Sequence, residues 1–566
     1  MDNKPEKTKD IEEEAMKAIR RRHQNLDSEF EEWRTHGIEL RDYMLPRHAR
    51  SLDANTSDAQ NDGKKKHQKV IDSTAEDSVD ILAAGMKSGV SSPSYPWFRL
   101  VIQNKKAMKS KPVKEWLFYI EDLFRTIFIQ SNIYSMLHHS YMELPVFGTA
   151  CALLKKDAEK VIVARQMTFG EYRLALNSKY EVDALYRDFW MTAVQLVEEF
   201  GIENVTDPVK RAFEDGNTET LFRVIHLIEP NDERIKIVNS KKRKFRSVYF
   251  EYASDENPGK NLSASGFLNF PVMAARWRVV GSDVYGSSPG MKLLGDTKML
   301  QKMNAKYLEA VDKVLKPPMR APGELKGTAV NQNPGEITFL NNKLQGQDPG
   351  LAPLYEVRPD LGAAAMEMEK VRMRIKNGFF NNLFLMLLEQ TGRMTATEVA
   401  ERHQEKLTLL GPVLENIHTM LNQLISTTYD YCMEDGLIPQ PPEEIQGQPI
   451  KIEYISIIAQ AQKLVGLQGI ERIAGFIGNL AAANPEALDK LNTDEAIDAY
   501  ADALAVPPSI IRDNKEAGAR REGRAQQMRN AQMLEQAGQM AGAAKVMSET
   551  DTTRPNALTA IMGGPR

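Results

Sequence analysis

The segment GSSPG at residues 286–290 is the part of the sequence that most suggests catalysis, because it fits the GxSxG pattern of hydrolase nucleophiles. It lies between a strand-like run and a helical pattern, where a nucleophile elbow would expose the hydroxyl of Ser288. In such an elbow the residue after the serine donates its backbone N–H to the oxyanion, but Pro289 has no N–H. The segment therefore predicts a turn that begins a helix, with Pro289 in the first helical turn.

The other residue types that do chemistry form no recognisable site. The adjacent residues His138 and His139 would leave a helix in different directions. Cys151 and Cys432 are far apart and have no neighbouring Cys or His at metal-ligand spacing, so they predict neither a zinc site nor a disulfide. The sequence contains no phosphate-binding loop, dinucleotide fingerprint or zincin motif. We therefore expect no catalytic residue, no metal site, no cofactor and no enzymatic activity.

Composition predicts a folded protein in a reducing compartment. The 566 residues are 42% hydrophobic and 27% charged, which is ordinary for a globular chain of several domains. The net charge of −4 argues against the strongly basic surface of a nucleic-acid coat. The polar, acidic start predicts no secretory signal. The densest apolar runs, at 379–388 and 407–414, are too short to cross a bilayer, so we expect buried helices and no membrane partner.

The first half of the chain predicts an α+β body that follows a long helix. A charged amphipathic pattern over residues 11–45 predicts that helix. A helix, a turn and a strand are expected within 71–100, and a further helix over 113–131. Strand-like runs then alternate with short helices, one of which has Thr192 as its N-cap and Gly201 after its last turn. The predicted strands are 161–167, 181–191, 221–229, 245–253 and 272–280.

The second half predicts long helices on either side of an irregular excursion. Residues 290–316 have a strong helical pattern that two prolines end, and residues 359–388 resume helical spacing. Residues 319–357, between them, are rich in Gly, Pro, Asn and Gln. The capping box MTATEV predicts a third helix over 395–434, kinked at Gly411-Pro412.

The end of the chain predicts smaller elements and a tail. Residues 450–456 are strand-like, and residues 457–515 have helical patterns broken by proline-containing turns. From residue 516 onward the composition is Ala, Gln, Met and Arg, with few large aliphatic side chains. Such a segment forms a helix that needs neighbours, or it is disordered.

A helix, an irregular excursion, a returning helix, a short loop and a long helix follow one another in phage portal proteins. Six segments extend the resemblance over nearly the whole chain, to the portal (head-to-tail connector) proteins of short-tailed, podovirus-type phages. They occur in the family's order and are EEWRTHGIELRDYMLP (31–46), IDSTAEDSVDILAAG with SPSYPWFRL (71–100), FWMTAVQLVEEFG (189–201), DVYGSSPGMKLLGDTKMLQKMN (283–304), MTATEVAERHQEKLTLLGPVLENI (394–417) and GLIPQPP (436–442).

The resemblance implies an α+β, predominantly α portal fold, with wing, two-helix stem, clip and crown, that assembles as a ring. Its implied boundaries are a wing at 1–285, a first stem helix at 286–316, a clip at 317–358, a second stem helix at 359–388, a tunnel loop at 389–397, a long kinked helix with its turn at 398–449, a crown at 450–515, and a tail at 516–566 that forms a helical barrel or is disordered.

The function implied by the resemblance is a channel at one capsid vertex. Twelve subunits would form a ring through which a terminase packages double-stranded DNA and from which the DNA is later ejected. The implied partners are further copies of the chain, the terminase, a tail adaptor, and the scaffolding and major capsid proteins. The implied location is the virion, after assembly in the host cytoplasm.

The resemblance also assigns candidate residues. A mobile constriction around DNA would be formed by a short loop, and basic residues on the returning helix would contact phosphates briefly. Helical spacing allows Arg372 and Lys376 on one face; ion pairs between subunits, to Glu367 or Glu369 of a neighbouring copy, are the alternative role. The candidate tunnel loop is Gln390, Thr391, Gly392, Arg393 and Met394, the channel candidates are Arg372 and Lys376, and the clip candidates for terminase or adaptor contact are Arg320, Glu324, Lys326 and Lys343.

Two other classes of protein remain open at this point. A helical structural adaptor or scaffold without a channel would use the same amphipathic stripes to bind partners, and would be monomeric or dimeric. An enzyme with an unrecognised site would depend on Ser288 or on another nucleophile. Neither class accounts for the six matching segments.

Overall fold

The structure is a computed structural model with two compact units. The first unit comprises residues 1–99, 121–439 and 452–459, and the second comprises 100–120, 440–451 and 460–566. The residues that the structure describes are 4–52, 67–104, 107–231, 243–252, 261–317, 319–320, 352–353, 359–382, 396–454, 457–481, 484–504, 506, 510–512 and 514–549.

Helices account for most of the described secondary structure, together with short 3₁₀ turns. The helices are α1 (Lys4–Met44), α2 (Thr74–Val90), α3 (Lys111–Gln130), α4 (Ile133–Phe147), α5 (Ala193–Phe200), α6 (Asp207–Glu214), α7 (Pro289–Leu315), α8 (Leu361–Gly378), α9 (Ala396–Glu434), α10 (Ile457–Ala481), α11 (Thr493–Leu504) and α12 (Asn514–Glu549).

The strands lie mainly between α4 and α7. They are β1 (Phe98–Ile102), β2 (Thr149–Asp157), β3 (Val161–Met167), β4 (Tyr172–Leu176), β5 (Val182–Thr192), β6 (Leu221–Pro230), β7 (Phe245–Glu251), β8 (Asn261–Phe267), β9 (Val272–Arg276), β10 (Met319–Arg320), β11 (Ala352–Pro353) and β12 (Ile450–Tyr454). The α+β, predominantly α class expected from the sequence is confirmed.

A five-stranded antiparallel sheet, in the order β4-β5-β6-β7-β8, forms the centre of the first unit. Helix α1 covers one of its faces, because Met16 and Ile19 pack on apolar side chains that alternate along the strands. Helices α5 and α6 cover the other face through Leu196 and Val209. The buried residues under α1 are Tyr186, Ile225, Leu227, Val248 and Phe250.

A second antiparallel sheet has the order β3-β2-β9 and packs against the long helix α9. The hydroxyl of Tyr431 on α9 donates to the carbonyl of Leu154 on β2 at 3.2 Å. Ile417, Leu421 and Leu424 on α9 are buried, as the apolar stripe of the sequence predicts. This sheet connects α4, which ends at Phe147, to the segment that precedes α7.

The short helix α5 shows how local sequence sets an element. Thr192 is its N-cap: the hydroxyl accepts from the amide of Gln195, and the side chain of Gln195 accepts from the amide of Thr192. Gly201 ends the helix with φ +84°, which an L side chain rarely adopts. Both residues confirm their predicted roles.

The helix predicted over 359–388 is interrupted in the structure. Helix α8 ends at Gly378, a turn follows in which Phe380 has φ +58°, and residues 381–382 are helical again, while residues 383–388 lie outside the described residues. Asn377 and Gly378 are weak helix formers, and a residue in the left-handed region interrupts the hydrogen-bond ladder. Of the predicted apolar stripe, Met368, Ile375 and Phe379 are buried, together with Val371.

The second unit contains α11 and α12. Arg521 on α12 is bound to the carboxylate of Asp494 on α11. Tyr500 on α11 donates to Glu471 on α10 at 2.8 Å. The side chains of residues 519–540 on α12 are all exposed, so this helix buries little within one chain. The tail is helical over Asn514–Glu549.

Candidate functional site

The start of α7 shows what the GSSPG segment does. Ser288 is buried, and its hydroxyl donates to the carbonyl of Val146 at 2.7 Å and accepts from the amide of Met291 at 3.0 Å. Pro289 occupies the first position of the helix. Because both hydrogen-bonding capacities of the hydroxyl are used, Ser288 is an N-cap that fixes α7 to the end of α4, as the turn interpretation predicted.

Glycines allow the backbones to come together at this junction. Gly148 has φ +75°, and a Cβ built on it would lie 1.9 Å from the carbonyl oxygen of Gly286. A Cβ on Gly290 would lie 2.9 Å from Cα of Val146. The amide of Gly286 also donates to the hydroxyl of Thr149 at 2.9 Å. The predicted first stem helix is thus anchored rigidly at its N-terminus.

The predicted second stem helix, α8, packs directly on α7. A Cβ on Gly378 would lie 2.6 Å from Cδ1 of Leu293, so the two helices approach closely where glycine removes a side chain. On the N-terminal side of this contact along α8, Met368, Val371 and Ile375 are buried. The two helices therefore form one packed pair at the end nearest to the body.

Four polar residues, here called the Asp72 cluster (Asp72, Gln301, Asn304 and Arg372), hold both helices to the segment before α2. The side-chain oxygen of Gln301 accepts from the amides of Ile71 at 2.7 Å and Asp72 at 2.8 Å. Its NH₂ group donates back to the carbonyl of Asp72 at 2.8 Å. Asn304, one turn further along α7, donates to Oδ2 of Asp72 at 2.9 Å. The cluster thus joins the three segments with side-chain hydrogen bonds.

Arg372 completes the cluster from α8. Its Nε and Nη2 donate to Oδ2 of Asp72 at 2.9 and 2.8 Å, and its Nη1 donates to Glu369 at 3.2 Å. Burial raises the pKa of Asp72, but the hydrogen bonds from Thr74 and Arg372 outweigh burial and hold that pKa below its usual range. Asp72 is therefore a buried, ionised acceptor, and Arg372 contacts Glu369 of its own chain, whereas the sequence-based alternative was an ion pair between subunits.

Two other basic residues of α8, Arg374 and Lys376, make fewer polar contacts than Arg372 does. Lys376 is half-buried and makes no hydrogen bond or ion pair with any residue that the structure describes. Arg374 is exposed and lies 3.5 Å from Asp296 of α7. The structure thus separates the two channel candidates, because Arg372 is held by a buried carboxylate and Lys376 is not.

The predicted clip is closed at its base. Strands β10 and β11 pair antiparallel, with Met319 opposite Pro353 and Arg320 opposite Ala352. The backbone of Arg320 therefore lies in this pairing. The clip candidates Glu324, Lys326 and Lys343 and the tunnel-loop candidates Gln390, Thr391, Gly392, Arg393 and Met394 lie outside the described residues.

The ends of α7 and α8 nearest to the clip are little covered by the residues that the structure describes. No residue of 302–316 or 361–367 is buried, although apolar side chains occur in both stretches. Leu315 is 72% exposed and Met366 is 66% exposed. The exposed apolar residues of the two helices are Met299, Leu308, Val314, Leu315, Met366 and Met373.

Other reactive groups have structural surroundings. Both cysteines are buried, and burial raises the pKa of Cys151 well above its usual range. Burial lowers the pKa values of His138 and His139. Among the residues that the structure describes, no group of three His, Cys, Asp or Glu side chains is placed to bind a metal. Within the same ranges, no helix is both long and apolar enough to cross a membrane.

Sequence reasoning missed the Asp72 cluster and the close approach at Gly378. Local patterns carry no signal for either, because Asp72 lies 229 positions from Gln301 and 300 from Arg372. The capping function of Ser288 was available, because a serine followed by proline before a helical pattern is a helix-start signal.

Comparison with known proteins identifies the family. The family model for the bacteriophage head to tail connecting protein matches residues 16–511. The portal protein of Salmonella phage epsilon15 is 40% identical over 540 residues, which are 95% of this chain and 96% of that protein. A probable portal protein of Bordetella phage BPP-1 is 37% identical over 539 residues, with the same two coverages.

Two of the matching solved structures are of gene transfer agent particles. The neck of an empty particle matches 72% of this chain and 86% of that chain, with a TM-score of 0.33 and 10% identity. The virion of a native particle matches 70% of this chain and 94% of that chain, with a TM-score of 0.31 and 11% identity. The family match of residues 16–511 and the two portal relatives show that the chain belongs to the family of bacteriophage head to tail connecting proteins.

Proposed function

We propose that this head-to-tail connector assembles into a ring of twelve subunits at one capsid vertex, around a channel through which double-stranded DNA is packaged and later ejected. The observation that carries the proposal is the uncovered far part of α7 and α8, where no residue of 302–316 or 361–367 is buried. Apolar side chains that a single chain leaves exposed stabilise an assembly when a neighbouring subunit covers them. In a ring, each pair of helices has a neighbour on both sides.

The anchored end of the helix pair supports the same proposal. Ser288, the Gly148–Gly286 contact and the Asp72 cluster fix α7 and α8 to the body at one end only. A helix pair held at its base presents its free part in one fixed orientation, as a closed ring requires of every subunit. A relative named portal protein, similar over 95% of the chain, is consistent with this arrangement.

The channel would act on DNA through weak contacts. Twelve copies with a net charge of −4 each carry a formal charge of −48, which disfavours tight binding of a polyanion. We assign Lys376 to brief phosphate contacts, because its ammonium group is not held by a carboxylate. For Arg372 the bidentate contact with Asp72 favours a role in positioning α8. Residues 390–394 would form the constriction around the DNA.

The remaining partners follow from the proposed ring. The clip, closed by β10 and β11, would bind the terminase during packaging and a tail adaptor afterwards, through Arg320, Glu324, Lys326 and Lys343. The wing would face the scaffolding and major capsid proteins. Copies of α12, exposed along 519–540, would pair with one another in a helical barrel. Assembly would take place in the host cytoplasm before the ring enters the virion.

Native mass spectrometry of the purified chain, with negative-stain imaging, tests the ring. Twelve copies of 63.8 kDa give a particle of about 766 kDa with a central hole. Leu308→Glu should reduce the yield of rings, because a charge would be placed in the proposed contact. The matched control is Leu268→Glu, since Leu268 and Leu308 are both 51% exposed and only Leu308 lies on α7.

Each outcome separates the candidate functions. Rings from the wild type and from Leu268→Glu, with few from Leu308→Glu, support the channel. A stable monomer or dimer of the wild type at high concentration would instead favour the helical adaptor without a channel. Equal yields of rings from both variants would remove the uncovered helix pair as the interface.

A further inference from the structure

An open cleft of about 1230 Å³ lies in the first unit, among α1 and strands β3 to β6. Arginine is its most frequent charged residue: six arginines and five carboxylates line the part of the cleft that the structure describes. We call it the arginine cleft. Its aromatic wall includes Phe189, Trp190 and Tyr252. The Asp72 cluster and the uncovered parts of α7 and α8 do not line it.

The five carboxylates of the arginine cleft all have cationic or histidine partners. The carboxylates and their partners are Asp27 with Arg34 and Arg173, Glu31 with Arg34, Glu143 with His48, Glu171 with Arg187, and Asp188 with Arg223 and His23. Arg173 lies 2.6 Å from Asp27, and Arg223 lies 2.7 Å from Asp188. The acidic groups are therefore satisfied within the cleft.

Two of the arginines, Arg165 and Arg187, have side-chain nitrogens without a described partner. The side chain of Arg165 makes no hydrogen bond or ion pair with the described residues, and its guanidinium carbon lies 5.1 Å from the centroid of the Phe189 ring. The guanidinium carbon of Arg187 lies 4.2 Å from the same centroid. The side chain of Arg187 is only 6% exposed, and Glu171 binds its Nε and Nη2. Its Nη1 is buried and has no partner among the described residues.

Gln166 adds unpaired polar groups beside these arginines. Both its Nε2 and its Oε1 are buried without a described partner, and the residue lines the cleft next to Arg165. Burial lowers the pKa of Arg165, and the charge of Arg187 lowers it further. Buried polar groups in folded proteins nearly always have hydrogen-bond partners, so this unpaired set indicates a ligand.

We propose that the arginine cleft binds a carboxylate of an acidic segment of a partner protein, held between Arg165 and Arg187 with the amide of Gln166 as a further donor. The surplus of one arginine over the carboxylates matches the single charge of a carboxylate. Guanidinium groups bind carboxylates through parallel N–H donors, and Nη1 of Arg187 is an available donor. The volume accommodates several residues of a peptide.

Charge favours an acidic peptide over nucleic acid as the occupant. A nucleic-acid strand carries one charge on every phosphate, so several phosphates would lie close to the five carboxylates of the cleft. An acidic side chain between neutral residues brings one charge to Arg165 and to the unpartnered Nη1 of Arg187. The proposal rests on the cleft within one chain and does not depend on the number of subunits in a ring.

The test is isothermal titration calorimetry on the full-length assembled protein at about 0.15 M salt, where exposed charges are largely screened. The probe is an acetylated, amidated hexapeptide with one glutamate among serines and glycines, and the same peptide with glutamine in place of glutamate is its uncharged control. We expect the glutamate peptide to bind and the glutamine peptide not to bind. Arg165→Gln should weaken binding by about tenfold or more, because a charge-assisted hydrogen-bond pair is lost.

Two further variants keep the test decisive. Arg165→Lys keeps the charge and loses the paired donors, so it should bind with intermediate affinity. Arg211→Gln removes the same charge from an exposed position on α6 and should bind as the wild type does. Circular dichroism checks that each variant is folded; Arg165 has no polar partner to lose, so we expect no change in the spectrum.

Three results would overturn the proposal. The first is no binding of the glutamate peptide by the wild type, and the second is equal affinity of wild type and Arg165→Gln. The third is tighter binding of hexathymidine than of the glutamate peptide with the same dependence on Arg165, which would make the cleft a nucleic-acid site.

Discussion

Arg372 donates two hydrogen bonds, of 2.9 and 2.8 Å, to one carboxylate oxygen of Asp72, which lies 300 residues earlier in the chain. The Asp72 side chain is 6% exposed and the Arg372 side chain is 28% exposed, so the pair is shielded from bulk water on the acidic side. Asp72 also holds α7, because Gln301 bonds to its backbone and Asn304 donates to the same carboxylate oxygen. One acidic residue thus sets the position of both long helices relative to the body.

Asp72→Asn should lower the apparent free energy of unfolding by about 2 kcal/mol, because a buried charge-assisted hydrogen-bond pair is lost. Urea unfolding followed by circular dichroism measures the change. Arg372→Gln should have a similar effect, and the double variant should cost less than the two single changes together, since both remove one interaction.

The matched control for that cluster is Glu369→Gln. Glu369 is the second, exposed partner of Arg372, at 3.2 Å. An exposed ion pair contributes little, so we expect a change of less than about 0.5 kcal/mol. If Glu369→Gln lowered the free energy of unfolding as much as Asp72→Asn does, the buried contact with Asp72 would contribute no more to stability than the exposed contact with Glu369.

The contribution of Asp72 should depend on pH. Its pKa in the folded chain lies below the ordinary value of 3.8, so the carboxylate stabilises the fold fully above pH 3.8 and loses this effect as pH falls through the lower, folded pKa. The difference in melting temperature between wild type and Asp72→Asn should be constant from pH 7 to about 5 and shrink below pH 3.8. A difference that grows towards acid pH would contradict this prediction.

Gly148→Ala should destabilise the junction before α7 by about 3 kcal/mol or more, because the new Cβ would lie 1.9 Å from a backbone oxygen that cannot move alone. Gly216→Ala is the control. Gly216 has φ +78°, close to the +75° of Gly148, but no atom lies within 4 Å of its Cβ position. Its loss of about 1 kcal/mol would report backbone strain alone, so the difference between the two variants measures the contact with Gly286.

Neither cysteine should react with a thiol reagent in the native protein at pH 8. Burial raises the pKa of Cys432 to about 12 and that of Cys151 well above the usual value, and the thiolate is the reactive form. Titration with a chromogenic disulfide should therefore be slow in buffer. In denaturing urea both of the two cysteines should react at once. Rapid reaction in buffer would mean that the core around β2 and α9 opens.

Helices and their ends were predicted well because their signals are local. The pattern over 395–434 and the helix that ends at Glu434 agree, and the serine and proline before α7 predicted where that helix begins. Strand β2 was missed for a physical reason. Its first six residues are all buried, so it shows no alternation of polar and apolar side chains. Strand β8, NLSASGF, was missed because small residues have weak strand preference.

The polar contacts of the site were less accessible to sequence reasoning. Arg372 was singled out from the sequence as a channel candidate, but its partner Asp72 belongs to a segment with no visible relation to it. The interruption of the returning helix after Gly378 was not predicted, because a close helix contact and the positive φ of Phe380 override an apolar pattern that continues. Tertiary contacts of this kind follow from the fold and leave no local pattern.

The span of the Asp72 cluster also sets an order of events during synthesis. Asp72 leaves the ribosome first, then Gln301 and Asn304, and the last member, Arg372, follows Asp72 by 300 residues. At about 5–20 residues per second, that interval is roughly 15–60 s, and α7 is present without its partner helix only for the last part of it, about 4–14 s between Gln301 and Arg372. The nascent chain therefore cannot present a finished helix pair to other copies until most of it has been translated, so premature association of incomplete subunits is disfavoured.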